Sequence, residues 1–119
     1  MTRFGLVVFL MLLGVPAHAE QFSIKCIWDP GYIITFDEER KRMIWEVPQG
    51  MTYRGAIDSI AGDDIQFRLL IDPLNTGRIW NRKSGSLVPS KAPSDPKFEN
   101  YCFRSELRPV MPLYDDMTR

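Results

Sequence analysis

The sequence predicts an all-β domain, a small antiparallel up-and-down β-barrel of about seven strands closed by one disulfide. Three observations predict it. Apolar and polar residues alternate through most of the chain after residue 20, which is the period of a strand with one buried face. Turn-forming clusters recur about every ten residues, the spacing of antiparallel domains built from short strands. The two cysteines, Cys26 and Cys102, fall on the first and last of these segments. Joining the two edge strands of a meander would curl the sheet into a barrel and hide its edges.

The strands follow in order. Gln21 to Trp28 places Phe22, Ile24, Cys26 and Trp28 on one face, and Asp29-Pro30-Gly31 then turns the chain, Pro presetting φ and Gly accepting a positive one. Tyr32 to Asp37 puts Tyr32, Ile34 and Phe36 together. Glu38-Glu39-Arg40-Lys41 reads as a solvated turn. Arg42 to Val47 sets Met43, Trp45 and Val47 against Arg42, Ile44 and Glu46. Thr52 to Ile60 alternates again, and Gly55 within it suggests a bulge or bend. Ala61-Gly62-Asp63-Asp64 is a hairpin turn leading to Ile65 to Ile71, the most regular alternation of the chain. Arg78 to Lys83 and Ser86 to Val88 are short strands about the Ser84-Gly85 turn. Asn100 to Glu106, with Cys102, is the last strand. In that strand Cys102 shares a face with Arg104, with Tyr101 and Phe103 on the other, so the strand is expected to twist or to sit at a rim. Trp28 and Trp45 are expected in the core.

Three segments are expected. Residues 1–19 read as a secretory signal peptide: Arg3 is a basic start, Phe4 to Val15 an uncharged apolar run of 12 residues, and Ala17-His18-Ala19 a peptidase site, with cleavage between Ala19 and Glu20. The run is too short for a spanning helix, which needs about 20 residues. Residues 20–107 form the barrel domain, and 108–119, with two prolines and several charges, a flexible tail. Export places the mature domain in the periplasm or outside a bacterial cell, where two cysteines pair. No second apolar run of spanning length follows, so no membrane insertion is expected after cleavage.

Composition narrows the functional classes. The whole chain has 15 basic and 15 acidic residues, and losing Arg3 leaves the mature chain near −1. That balance offers no basic excess for a nucleic-acid backbone. The single histidine, His18, lies in the expected signal peptide, so the mature chain has no imidazole for nucleophile activation or for a zinc or copper site. No P-loop or dinucleotide-binding pattern occurs, and no cofactor or metal is expected. Asp63-Asp64 suits a turn better than a calcium site, which takes six or more oxygen ligands. A carboxylate-based hydrolase stays open and would need two acids facing one cleft.

The candidate binding residues are Arg78, Trp80, Arg82, Lys83 and Ser84. They set an indole between two guanidinium groups on one strand face beside a Ser-Gly turn, an arrangement suited to a sugar, an anion or a protein acid. The competing expectation is an ordinary strand whose Trp80 packs in the core. The reading is an exported non-catalytic binding module for a protein or small ligand. Its alternatives are an envelope structural or assembly factor, or a lipocalin-like binder if the barrel is hollow.

Cys26-Ile27-Trp28, Tyr32-Ile33-Ile34-Thr35-Phe36-Asp37, Trp80-Asn81-Arg82-Lys83-Ser84-Gly85-Ser86-Leu87 and the late Cys102 resemble small exported bacterial β-barrel proteins of uncharacterised function. They are loosely similar to the periplasmic inhibitors of C-type lysozyme. That resemblance implies a disulfide-closed barrel that presents a loop to the lysozyme cleft, through a serine-glycine stretch running to an aromatic residue and a lysine from a later segment. Here Ser84-Gly85 is followed by Ser86-Leu87, the aromatic has no place in the pattern, and Lys91 or Lys97 would supply the later lysine.

Overall fold

The computed structural model describes residues 21–28, 31–93 and 99–117. The expected signal peptide, its cleavage site at Ala19 and Glu20, the first two residues of the Asp29-Pro30-Gly31 turn, and Lys97 lie outside the described residues. Eight strands occur among those described: β1 (Gln21–Cys26), β2 (Ile33–Asp37), β3 (Arg42–Glu46), β4 (Thr52–Ala61), β5 (Asp64–Leu69), β6 (Arg78–Asn81), β7 (Ser86–Pro89) and β8 (Asn100–Ser105). Each pairs antiparallel with the next, and β8 returns to β1, so the sheet is a closed up-and-down barrel. The expected architecture is present, with eight strands rather than about seven.

Closure is covalent as well as hydrogen-bonded. Cys26 and Cys102 stand directly opposite each other in the β1–β8 ladder and form the disulfide across it. Both sulfurs face the interior, where the two residues are buried. The barrel is filled. Phe22, Phe36, Phe67, Trp45 and Trp80 pack with ring centroids 5.2–6.1 Å apart, and Ile24, Ile34, Met43, Ile57, Ile65 and Leu87 complete the core. Eight strands give an interior just wide enough for side chains to fill. The Trp80 indole Nε1–H donates to the Cys102 carbonyl at 2.9 Å, so its polar edge is satisfied and the core is tied to the closing strand.

Gly55 has a different role from the bulge expected of it. The register shift lies two residues on, between Ile57 and Ser59. At Gly55 a Cβ would collide with the Met43 sulfur and the Arg68 carbonyl, so the absent side chain lets an inward methionine and the neighbouring strand approach.

Trp28 is not in the core. The β1 ladder ends at Cys26 and the chain turns, with the Gly31 N–H donating to the Trp28 carbonyl at 2.7 Å, which leaves Trp28 57% exposed. The Glu38-Glu39-Arg40-Lys41 turn is not wholly solvated either. It folds back over one barrel end, and Glu38, 3% exposed, pairs with Arg82. The same end is closed by Arg82 and Arg104, whose guanidinium carbons lie 5.4 and 4.4 Å from the centroid of Phe22. This accounts for a charged residue sharing a face with Cys102: Arg104 is the lid on the last layer of the core.

The segment expected to be a frayed tail is docked on the barrel. A 3-10 helix, Met111–Asp116, follows β8 and buries Met111 and Tyr114 against Ile44 on the outer face of the sheet. The Arg108 N–H donates to Ser23 Oγ at 2.9 Å, and Ser23 Oγ in turn lies 2.7 Å from Thr35 Oγ1. The Arg108 side chain grips Glu46 with two bonds of 2.9 and 3.1 Å. The Tyr114 hydroxyl donates to the Gly55 carbonyl at 2.9 Å, with Arg42 and Arg54 over its ring. Apolar burial and this set of polar bonds outweigh the fraying expected from two prolines.

Two outcomes follow. The Cys26→Ser, Cys102→Ser double variant should lose about 4–5 kcal/mol at most in a urea titration, since the bond spans 76 residues of sequence. Burial raises the Tyr114 hydroxyl above its ordinary value near 10, against an opposing pull from Arg54 and Arg42 and a small push from Asp115. A neutral group whose folded value is raised supports folding below its unfolded value and loses that support as pH climbs through the folded one. The stability difference between the parent and Tyr114→Phe should therefore be constant to about pH 9 and shrink above pH 10, read from urea midpoints.

Candidate functional site

The five residues singled out on and after β6 do not form one surface. Arg78, Trp80 and Arg82 do share a face, as their spacing requires, but it is the face that turns inward. Trp80 is 2% exposed and stacks on Phe36 with ring centroids 5.9 Å apart. It is a core residue and not part of a ligand-facing surface. Arg78 and Arg82 stand at opposite ends of the interior column that Trp80 fills. Arg78 is half-buried, near Tyr32, and burial lowers its pKa, with Tyr32 acting the other way. Arg82 is engaged by Glu38.

Lys83 and Ser84 are exposed on the turn after β6. Asn81 fixes that turn, its Oδ1 accepting the N–H of Lys83 at 2.9 Å and of Ser84 at 2.8 Å. Ser84 Oγ accepts the N–H of Ser86 at 3.1 Å. Gly85 has φ of 82°, a conformation that suits glycine, and a Cβ there would overlap the edge of the Phe103 ring on β8. The turn is therefore seated on an aromatic side chain from the neighbouring strand, a relation that sequence spacing could not supply.

Phe103 belongs to a larger exposed surface. Lys25 and Phe103 are opposite partners on the outside of the β1–β8 ladder, and the Ile27 N–H donates to the Tyr101 carbonyl at 2.9 Å. Ile27, Trp28 and Phe103 are all large, apolar and about half exposed or more. Trp28 is held by its N–H, which donates to Asn100 Oδ1 at 3.1 Å. Lys25, Ile27, Gly31, Phe103, Arg104 and Ser105 line an open groove of about 570 Å³ along this seam. The disulfide lies directly beneath it, on the inner side of the same two strands.

A second exposed apolar group, Leu70, Ile71 and Leu74, sits on the β5–β6 loop beside another groove. Neither groove brings two free acids together: the seam groove has no acid in its lining, and Asp58, the acid of the second, pairs with Arg68. Among the described residues, no group of three or more His, Cys, Asp or Glu is placed to hold a metal ion. No helix among them is long and apolar enough to cross a membrane.

No protein-family model, curated protein or solved structure matches this chain.

The seating of the turn can be tested directly. Gly85→Ala should cost about 1–3 kcal/mol, because it combines an unfavourable φ with displacement of Phe103. The loss should appear as a lower urea midpoint, with the amide resonances of Phe103 and its neighbours shifted most.

Proposed function

We propose that the domain is an exported, non-catalytic binding module that grips a protein partner along the β1–β8 seam. The observation that carries this reading is the exposure of Ile27 and Phe103 in the groove along the covalently clamped β1–β8 pair, with Trp28 exposed one residue beyond Ile27. Exposed large apolar side chains gathered on one surface mark interaction sites, and Trp is enriched among the residues that dominate binding energy. The clamp adds preorganisation, since side chains on a cross-linked ladder have less freedom to lose when a partner docks. The filled interior moves the reading away from a lipocalin-like binder and onto the outer surface. A disulfide is compatible with a location outside the cytoplasm, in keeping with the expected signal peptide.

One observation favours a narrower version, inhibition of C-type lysozyme. The aromatic that the Ser84-Gly85 stretch lacks in sequence is supplied in space by Phe103. On that version the turn enters the enzyme cleft while the seam supports it, and Lys83 and Ser84 make contacts of their own. On the broader version only the seam residues matter.

The domain should be immobilised against C-type lysozyme and, separately, against envelope extract. Trp28→Ala and Phe103→Ala should each weaken capture about tenfold or more, as substitutions of central apolar anchors do. Capture that survives both substitutions removes the seam reading. Absence of lysozyme inhibition at micromolar protein removes the inhibitor version. Inhibition that persists in Lys83→Ala and Ser84→Ala would instead place the contact on the seam alone.

A further inference from the structure

The groove along the seam continues past the end of β8. A further open groove of about 440 Å³ begins where it leaves off, and the two share Lys25 and Ser105 in their linings. Ile27, Gly31 and Phe103 shape the first. Ile33, Leu107 and Pro109 shape the continuation, between the outer face of β1–β2 and the chain that crosses it after β8. That crossing is anchored. The Arg108 N–H on Ser23 Oγ ties it to β1, and the Arg108 guanidinium on Glu46 ties it to β3. Leu107 is left 46% exposed beside the channel.

Lys25 stands at the junction of the two. Its ladder partners are Phe103 on β8 and Ile33 on β2, so its cross-strand neighbours on the outer surface are apolar on both sides. Among the described residues Lys25 forms no ion pair and no side-chain hydrogen bond. The other cations of the linings are engaged: Arg104 lies over the Phe22 ring and Arg108 is held by Glu46. Glu106 is the one acid in either lining, and it does not pair with Lys25. Neighbouring strands lie about 5 Å apart, so Phe103 and Ile33 flank Lys25 across about 10 Å.

Two joined grooves make a channel longer than one side chain and open along its length, the form that an extended peptide fills. Alternate side chains of an extended segment point the same way at intervals of about 7 Å. Residues i, i+2 and i+4 of such a segment therefore reach about 13 Å on one face, enough to place one side chain over Lys25 and one on either side of it.

From the shared lining of the two grooves, the unpaired Lys25 at their junction and the apolar side chains flanking it, we infer that the partner is gripped through an extended segment whose alternate residues are apolar, acidic and apolar. The first apolar residue sits between Ile27 and Phe103. The acid meets Lys25, and the second apolar residue rests on Ile33 and Leu107. The inference rests on the seam reading and names the partner's chemistry there.

The probe is the peptide acetyl-Ser-Leu-Thr-Glu-Thr-Leu-Ser-amide, titrated into the isotopically labelled protein and followed by amide resonances. Saturable shifts are expected at Lys25, Ile27, Ile33, Phe103 and Leu107. Replacing the peptide's glutamate by glutamine should weaken binding about threefold, the scale of an exposed ion pair. In the Lys25→Gln protein the two peptides should bind alike, a coupling that reports direct contact. Leu107→Ala should weaken the peptide about fivefold, and should add nothing once the peptide's second leucine is serine. Lys25→Gln should leave the urea midpoint in place. A fall in the midpoint matched by Glu106→Gln would assign Lys25 to Glu106 and overturn the inference. So would the absence of saturable shifts, or equal binding of both peptides to the parent. Concentration-dependent broadening of the same resonances without peptide would seat a second copy of the chain there and overturn it as well. If the peptide fails while envelope capture still depends on Trp28 and Phe103, the inference falls and the seam reading stands. Loss of that dependence removes both.

Discussion

The fold depends on the pairing of β1 with β8. Every other neighbour in the sheet is also a neighbour in sequence. The β1–β8 ladder is the one long-range closure, and without it the domain is a twisted eight-stranded sheet with two bare edges. Cys26 and Cys102 sit at opposed positions of that ladder, so the covalent bond fixes its register as well as its existence. The core reinforces the same junction through the Trp80 indole on the Cys102 carbonyl. A one-residue slip of β1 would turn Cys26 outward together with Phe22 and Ile24.

The C-terminal segment makes a second, smaller core outside the barrel. Strand alternation should leave Ser23, Thr35 and Ile44 facing water, yet all three are fully buried. Met111 and Tyr114 cover the isoleucine, while the Arg108 backbone satisfies Ser23. The packed structure thus reaches beyond the barrel strands to the 3-10 helix.

The sequence carried most of the barrel and little of the site. Alternation and recurring turns were enough for strand order, and Gly62 and the Asp63-Asp64 pair placed the β4–β5 hairpin correctly because turn chemistry is local. Trp28 was misplaced because alternation says which face a residue takes and not where the ladder stops. Trp80 was drawn towards a ligand because both ends of its inner face carry arginines, which in a short barrel serve as stoppers over the last core layer. The docking of the tail had one visible signal: Ile44, an apolar residue among the charged outward positions of β3, matched by Val110, Met111, Leu113 and Tyr114 downstream. The seam and the groove beyond it had none. Phe103 beneath Gly85, and Arg108 on Ser23, are contacts between strands or loops that only the closed sheet brings together.

The three tryptophans occupy three distinct surroundings: Trp28 faces solvent beside the seam, Trp45 packs against Tyr32 and Phe67, and Trp80 lies against the closing strand. The chain consequently carries its own set of optical reporters. Light emitted by the first answers to whatever covers the outer wall, while the other two answer to the condition of the interior, so occupancy and integrity can be followed in one cuvette without any attached dye.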